Sequence, residues 1–88
     1  MTAWYVYMLR CSDGSLYTGI TNDVARRVAE HANGKRGARY TRGRRPVTLV
    51  YQEACDDKSA ALKREIDIKK LSKDKKQELA RTTIMPSS

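Results

Sequence analysis

Five side chains of this 88-residue chain have the types and spacing that hydrolysis of a phosphodiester would need. Tyr7 and Tyr17 lie ten residues apart, and Arg27 follows after ten more. His31 comes four residues after Arg27, and Glu65 lies much further along the chain. Such a reaction needs a deprotonated water, positive charge beside the phosphate in the transition state, and stabilisation of the leaving oxygen. The set therefore predicts a phosphodiester-cleaving site.

The chemistry gives each of these side chains a candidate role. Glu65 is the candidate metal ligand, since one carboxylate together with waters and substrate oxygens commonly holds Mg²⁺. Arg27 offers the phosphate a permanent charge and a fork of donors. A tyrosine is a poor base at its free pKa of about 10, but it becomes an adequate one beside cations. Either Tyr7 or Tyr17 is therefore the candidate general base, and His31 is an auxiliary group.

Each of these residues also has a structural alternative. Glu65 could form an ordinary ion pair with Lys69, four residues on, and Arg27 could be a surface arginine. His31 could stabilise the end of its helix as a cation. Tyr7 could be a packing residue of a strand. The catalytic hypothesis, in contrast, predicts that the side chains converge on one concave, basic face.

A hairpin must position the two tyrosines. Residues 4–10 and 16–20 have the aromatic and branched composition of strands, and the turn sequence Ser-Asp-Gly-Ser separates them. A two-residue loop would put Tyr7 and Tyr17 on opposite faces of the sheet, since a slip of one residue inverts every side chain. A three-residue loop with Gly14 in the left-handed conformation would put both on one face. The sequence permits both loops, and a shared site requires the second.

The remaining pattern predicts an α+β fold. Asn22 or Asp23 caps a helix that runs to about Ala32 and carries Arg27 and His31 one turn apart. The predicted order is β-β-α-β-α-α, with a small, mostly antiparallel three-stranded sheet flanked by helices. The elements after the first helix are a strand at 47–53, a helix at about 58–71 and a last helix at about 72–81.

The helix at 58–71 decides where Glu65 lies. Its apolar residues Leu62, Ile66 and Leu71 recur at helical spacing, so we expect them to form the buried stripe. Glu65 comes one residue before Ile66 and would then lie at the edge of the buried face, where a carboxylate can reach a site.

Positive charge is concentrated in one segment. The net charge is +8, and residues 34–46 contribute six basic side chains and no acidic one. A field of one sign indicates a polyanionic partner, nucleic acid before acidic lipid, and arginine suits bidentate phosphate contact. The alternative is a solvated loop that maintains solubility. The predicted nucleic-acid-binding set, with one tyrosine that could stack on an unpaired base, is Lys35, Arg36, Arg39, Tyr40, Arg42, Arg44 and Arg45.

These motifs resemble those of the GIY-YIG nuclease superfamily. Tyr7 stands where the family's first strand ends in tyrosine, Tyr17 begins the Tyr-x-Gly motif of the second strand, and Arg27 lies on the first helix. The basic run at 40–46 is also similar. The resemblance covers about residues 3–80 and is to the small stand-alone members of the UPF0213 type.

The resemblance implies an activity and a cofactor. It implies a metal-dependent endonuclease that hydrolyses DNA with low sequence specificity, with Mg²⁺ or Mn²⁺ on Glu65, in a setting such as DNA repair or recombination. The alternative is a non-catalytic DNA- or RNA-binding module on the same fold. A basic RNA-associated protein would explain the charge but not the tyrosines, the arginine and the glutamate together.

Three positions depart from the family pattern. Tyr5 replaces the glycine of the first motif, and Thr18 stands where isoleucine is common. Ile20 replaces a lysine that some family nucleases carry three residues after the second motif's tyrosine. Without that lysine, one of the tyrosines, the histidine or solvent must activate the water.

Composition limits the remaining possibilities. The chain is long enough for one domain, which we place at residues 1–83, with a disordered tail at 84–88. Cys11 and Cys55 do not form a disulfide framework or, with a single histidine, a zinc site. The longest early apolar run is too short to span a bilayer and lacks the features of a secretory signal. We therefore expect a cytoplasmic monomer.

Overall fold

A computed structural model describes residues 3–34 and 39–82. The predicted order of strands and helices and the antiparallel sheet are confirmed, with one short helix added inside the basic segment. The predicted tail at 84–88 and the predicted DNA contacts Lys35 and Arg36 lie outside the described residues. The elements are β1 (Trp4–Arg10), β2 (Leu16–Thr21), α1 (Val24–Asn33), α2 (Arg39–Arg42), β3 (Thr48–Cys55), α3 (Lys58–Lys69) and α4 (Lys73–Thr82).

The hairpin has the three-residue loop that a shared site requires. Leu9 pairs with Tyr17, and Tyr7 pairs with Gly19. Gly14 has φ +85°, a conformation that glycine adopts without strain, and its amide donates to the Cys11 carbonyl at 2.9 Å. Since side chains alternate along each strand, this register places the two tyrosines on the same face of the sheet.

The sheet has the strand order β2-β1-β3 and carries helices on both faces. One face holds the main core, in which side chains of α3 and α4 pack on β1 and β3. The other face carries Tyr7 and is covered by α1, whose one fully buried residue is His31. The core residues of the first face are Val6, Met8, Tyr51, Ala61, Ile68 and Ala80.

Helix α3 buries a different stripe from the predicted one. Leu62 and Ile66, expected to be buried, are 42% and 52% exposed, whereas Ala61 and Ile68 are buried. Ala61, with its small side chain, is fully buried in the core against the sheet. Arg64 donates to the Glu53 carboxylate of β3 at 3.0 Å, which helps to fix the rotation of the helix. The expectation for Leu62 and Ile66 was therefore wrong.

Within the described ranges no helix is both long and apolar enough to cross a membrane. Cys11 is buried and Cys55 is partly buried, and both are free thiols.

Candidate active site

Three rings of the predicted site meet on the α1 face of the sheet. The ring centroids of Tyr7 and Tyr17 are 6.3 Å apart, and that of His31 lies 5.8 Å from Tyr7 and 5.0 Å from Tyr17. The shared face that follows from the three-residue loop is confirmed. A neighbouring aromatic ring, Tyr40 of α2, lies 6.0 Å from Tyr17 and extends the cluster toward the surface.

Tyr7 is the buried member of the cluster. It is 1% exposed, and its hydroxyl lies 2.8 Å from Nε2 of His31. Burial, which outweighs a hydrogen bond from Arg27, raises the pKa of Tyr7 to about 12. Tyr7 therefore keeps its proton at neutral pH. Because Gly19 has no side chain, the Tyr7 ring can lie directly against the β2 backbone.

His31 is buried and neutral. Its Nδ1 lies 2.8 Å from the Thr41 hydroxyl, so both ring nitrogens have hydrogen-bond partners. Burial, with a smaller contribution from the charge of Arg27, lowers the pKa of His31 to about 4. The alternative of a histidine cation at the helix end is therefore wrong. Arg45 occupies that position instead and donates to the carbonyl oxygens of His31 at 2.7 Å and Gly34 at 2.6 Å.

Arg27 is held in place by two neighbours. Its Nη1 lies 2.9 Å from a carboxylate oxygen of Glu30, and its guanidinium also donates to the Tyr7 hydroxyl. Glu30 also forms a longer ion pair with Arg26, at 4.0 Å. Arg27 therefore has a fixed orientation beside Tyr7 before any substrate binds.

Glu65 lies on α3, which packs on the face of the sheet opposite the ring cluster. Its side chain is 18% exposed, and its negative charge makes a minor contribution to the raised pKa of Tyr7. Lys69 forms an ion pair with Glu65, with Nζ 3.3 Å from a carboxylate oxygen. Glu65 comes four residues after the buried Ala61 and three before the buried Ile68, so it lies in line with the stripe that faces the sheet and not at the edge of the predicted stripe.

The metal-binding side chains of this site suit a divalent ion that takes most of its ligands from water and substrate. The part of the chain that the structure describes has no group of three or more acidic, histidine or cysteine side chains able to hold a metal. That excludes a closed zinc site among those residues. A single carboxylate, Glu65, fits Mg²⁺ or Mn²⁺, since such ions keep waters and take oxygens from substrate phosphates.

The basic segment has two kinds of arginine. Arg39 and Arg42 of α2 are exposed, as surface contacts must be. Arg45 is used at the end of α1, and Arg44 donates to the Asp13 carboxylate at 3.0 Å. The Arg44 guanidinium also lies 3.9 Å above the ring of Tyr40, which is itself 39% exposed. Arg44 and Arg45 thus make contacts within the protein, and their contact with nucleic acid stays a prediction.

One residue of the cluster was missed by the sequence analysis. Thr41 is fully buried within α2 and bonds to His31, yet it lies in a segment of exposed basic residues. The local pattern of that segment predicts no helix and no buried hydroxyl, so nothing in the sequence marked it.

The fold and the cluster together are those of a small α+β domain of the GIY-YIG class. The chain belongs to this family: residues 3–78 match the family described as "GIY-YIG catalytic domain". The resemblance seen in the motifs is therefore confirmed.

The relatives are small proteins of similar length. A UPF0213 protein of Desulfotalea psychrophila is 56% identical over 81 residues, which are 92% of this chain and 74% of that protein. One of Haloquadratum walsbyi is 60% identical over 76 residues, covering 86% and 84%. The solution NMR structure of a UPF0213 protein from Bacillus halodurans is 49% identical, with a TM-score of 0.60 over 96% of this chain and 88% of that one. That of an E. faecalis protein is 37% identical, with a TM-score of 0.62 over 100% and 94%.

Proposed function

We propose that this protein is a divalent-metal-dependent endonuclease that hydrolyses phosphodiester bonds of DNA with low sequence specificity. The observation that carries the proposal is the convergence of Tyr7, Tyr17 and Arg27 on the α1 face of the sheet. That Glu65 of α3 reaches the same phosphate is part of the proposal. A phosphate held at this face would meet the Arg27 guanidinium and the Tyr17 phenol, with Tyr7 buried behind them and Glu65 as the proposed metal ligand. Packing alone does not require that combination of groups.

Tyr17 is the general base of the proposed mechanism. Tyr7 is fully buried, and its pKa of about 12 opposes loss of the proton. Tyr17 is only partly buried, so solvent reaches part of its side chain. As a phenolate, Tyr17 takes a proton from water while the water oxygen attacks phosphorus and the bond to the leaving oxygen breaks. Burial therefore supports Tyr17 over Tyr7 as the base of the proposed mechanism.

Arg27 binds the phosphate undergoing attack. Its ion pair with Glu30 and its hydrogen bond to Tyr7 orient the guanidinium, so little reorganisation is needed when negative charge develops. His31, neutral and buried, orients the Tyr7 hydroxyl. When bound at Glu65, Mg²⁺ or Mn²⁺ would supply positive charge to the transition state and the leaving oxygen.

The exposed arginines of α2 give affinity without sequence readout. Arg39 and Arg42 can contact backbone phosphates, which fix the position of a protein on DNA but carry no direct sequence information. Lys35 and Arg36 are proposed to extend the same contact. We therefore propose DNA as the substrate with little preference for base sequence.

Cleavage of plasmid and branched DNA tests this function. We expect nicking with Mg²⁺ or Mn²⁺, loss of nicking with a chelator, and loss in Glu65→Ala. Arg27→Ala should lower single-turnover cleavage far more than DNA binding, because it removes a contact to one phosphate. Faster cleavage of branched than of linear DNA would support a role in repair or recombination. Tight DNA binding with no cleavage under any of these conditions would instead establish the non-catalytic module.

A further inference from the structure

Three buried side chains form a continuous hydrogen-bonded line from α2 to the tyrosine cluster. The Thr41 hydroxyl lies 2.8 Å from His31 Nδ1, and His31 Nε2 lies 2.8 Å from the Tyr7 hydroxyl. All three residues are buried from solvent, so each hydrogen bond forms in a medium where an unpaired polar group is costly. The line joins residues that are far apart in the sequence.

The direction of the hydrogen bonds follows from the donors at Tyr7. Arg27 carries only donors, so the Tyr7 oxygen accepts from it and the Tyr7 proton is available for His31 Nε2. A neutral imidazole has one N–H, and Nε2 is then the acceptor. The proton must be on Nδ1, which donates to the Thr41 oxygen. If Nε2 of His31 carried the proton instead, the Tyr7 oxygen would accept from both His31 and Arg27. The Tyr7 proton would then need a different acceptor.

Thr41 belongs to the same four-residue helix that carries Arg39 and Arg42. The Thr41 carbonyl also accepts from the Arg44 amide at 3.0 Å, and the Arg44 carbonyl accepts from the Ser12 amide at 2.9 Å. The buried face of α2 is thus bonded to the tyrosine cluster, and its exposed face presents the arginines.

We propose that Thr41 is a positioning residue: its hydroxyl accepts from the Nδ1–H of His31 and so holds the imidazole ring and, through it, the Tyr7 hydroxyl, so that α2 and the site form one unit. The part of this inference that concerns cleavage rests on the proposed nuclease function, whereas the tautomer does not. The orientation of the reactive groups would then depend on a buried hydroxyl of the helix that presents the exposed arginines.

The His31 imidazole provides a direct test because it is the only histidine in the chain. Two-bond ¹H–¹⁵N spectra at neutral pH should show a protonated Nδ1 and an unprotonated Nε2 in the wild type. Thr41→Val removes the acceptor with little change of shape and should give a mixture of tautomers, whereas Thr41→Ser should restore the wild-type spectrum. An Nε2–H tautomer in the wild type would overturn the proposal without any variant.

Cleavage gives the second readout. Thr41→Val should lower kcat by about tenfold or more, a part of the roughly 10²–10⁴-fold effect of a positioned acid–base group, with the Kd for DNA unchanged. Thr41→Ser should recover most of the rate. If Thr41→Val weakened binding but kept kcat and the Nδ1–H tautomer, Thr41 would only hold α2 in place and the proposal would be wrong. If the wild type cut no DNA, the nuclease function would fail, and the spectra would still decide the tautomer.

Discussion

The Tyr7 hydroxyl lies so close to Gly19 that a Cβ on residue 19 would be 2.6 Å from the phenolic oxygen. That separation is well inside van der Waals contact, so any side chain at position 19 must displace the Tyr7 ring. The ring in turn positions the hydrogen bond to His31 and accepts one from Arg27. The Tyr-x-Gly motif thus has a steric reason in this protein: the glycine makes room for the first motif's tyrosine.

Gly19→Ala should therefore disturb the site and the fold together. We expect a loss of about 1–3 kcal/mol in the free energy of unfolding from overpacking. At about 4–8 °C per kcal/mol for a domain of this size, the melting temperature should fall measurably. Gly43→Ala is the matched control, because a Cβ there would have nothing within 4 Å. Equal melting temperatures and equal cleavage by the two variants would show that the Tyr7 contact is unimportant.

Stability should depend on pH through His31. Its folded pKa of about 4 lies below the ordinary value of 6.5, so the unfolded state binds more protons between these values. The contribution is fully present above pH 6.5, is lost as the pH falls toward 4, and has an upper size of about 3 kcal/mol. Urea unfolding between about pH 5 and 6.5, above the ordinary carboxylate range, measures it. His31→Gln should flatten the dependence; an unchanged slope would mean that His31 is not buried as a neutral ring.

Substitutions should distinguish the exposed arginines of α2 from Arg45, which bonds to the end of α1. Replacing Arg39 and Arg42 with alanine should lower the salt slope of log K by about 0.9 for each lost phosphate contact and leave stability unchanged. Arg45→Ala should mainly lower the melting temperature, because the C-terminal carbonyls of α1 lose their donor. Binding titrations at several salt concentrations, beside thermal unfolding, distinguish these effects. A double variant that kept the wild-type affinity and salt slope would assign α2 to solubility instead.

The two tyrosines should differ in catalysis. Tyr17→Phe removes the proposed general base and should lower single-turnover cleavage by about 10²–10⁴-fold. Tyr7→Phe removes a buried donor to His31, so we expect a smaller loss of rate and a lower melting temperature. Paired measurements of rate and stability test the assignment. The opposite ranking of the two cleavage rates would make Tyr7 the base.

Local sequence was sufficient for the parts of the fold that local chemistry controls. Gly14 and the requirement for a shared face gave the hairpin register, and Asp23 caps α1 through the Arg26 amide at 3.0 Å. The prediction for α3 failed because periodicity counts apolar residues and not their size. The rotation of that helix depends on the small Ala61 and on the Arg64 contact with Glu53, which periodicity does not include.

The same distinction between local sequence and long-range packing applies to the residues of the site. Tyr7, Tyr17, Arg27 and His31 could be placed together because a strand register and a helix period relate them. The roles of Thr41 and Arg45 could not be predicted, because their partners lie 10 and 14 residues away across loops. The protonation state of His31 could not be predicted from the sequence either, because it depends on burial, which only the packed structure shows.

The most direct test compares two substitutions that break the same ion pair. Glu65→Gln removes the proposed metal ligand, whereas Lys69→Gln removes its partner, 3.3 Å away, and keeps the carboxylate. Each should change stability by less than about 1 kcal/mol, as expected for a pair near the surface. The readout is Mg²⁺-dependent nicking of supercoiled plasmid by wild type and both variants at matched thermal stability. We predict nicking by the wild type and by Lys69→Gln and none by Glu65→Gln; equal nicking by all three, or a wild type that never nicks, would contradict a metal-dependent nuclease centred on Glu65.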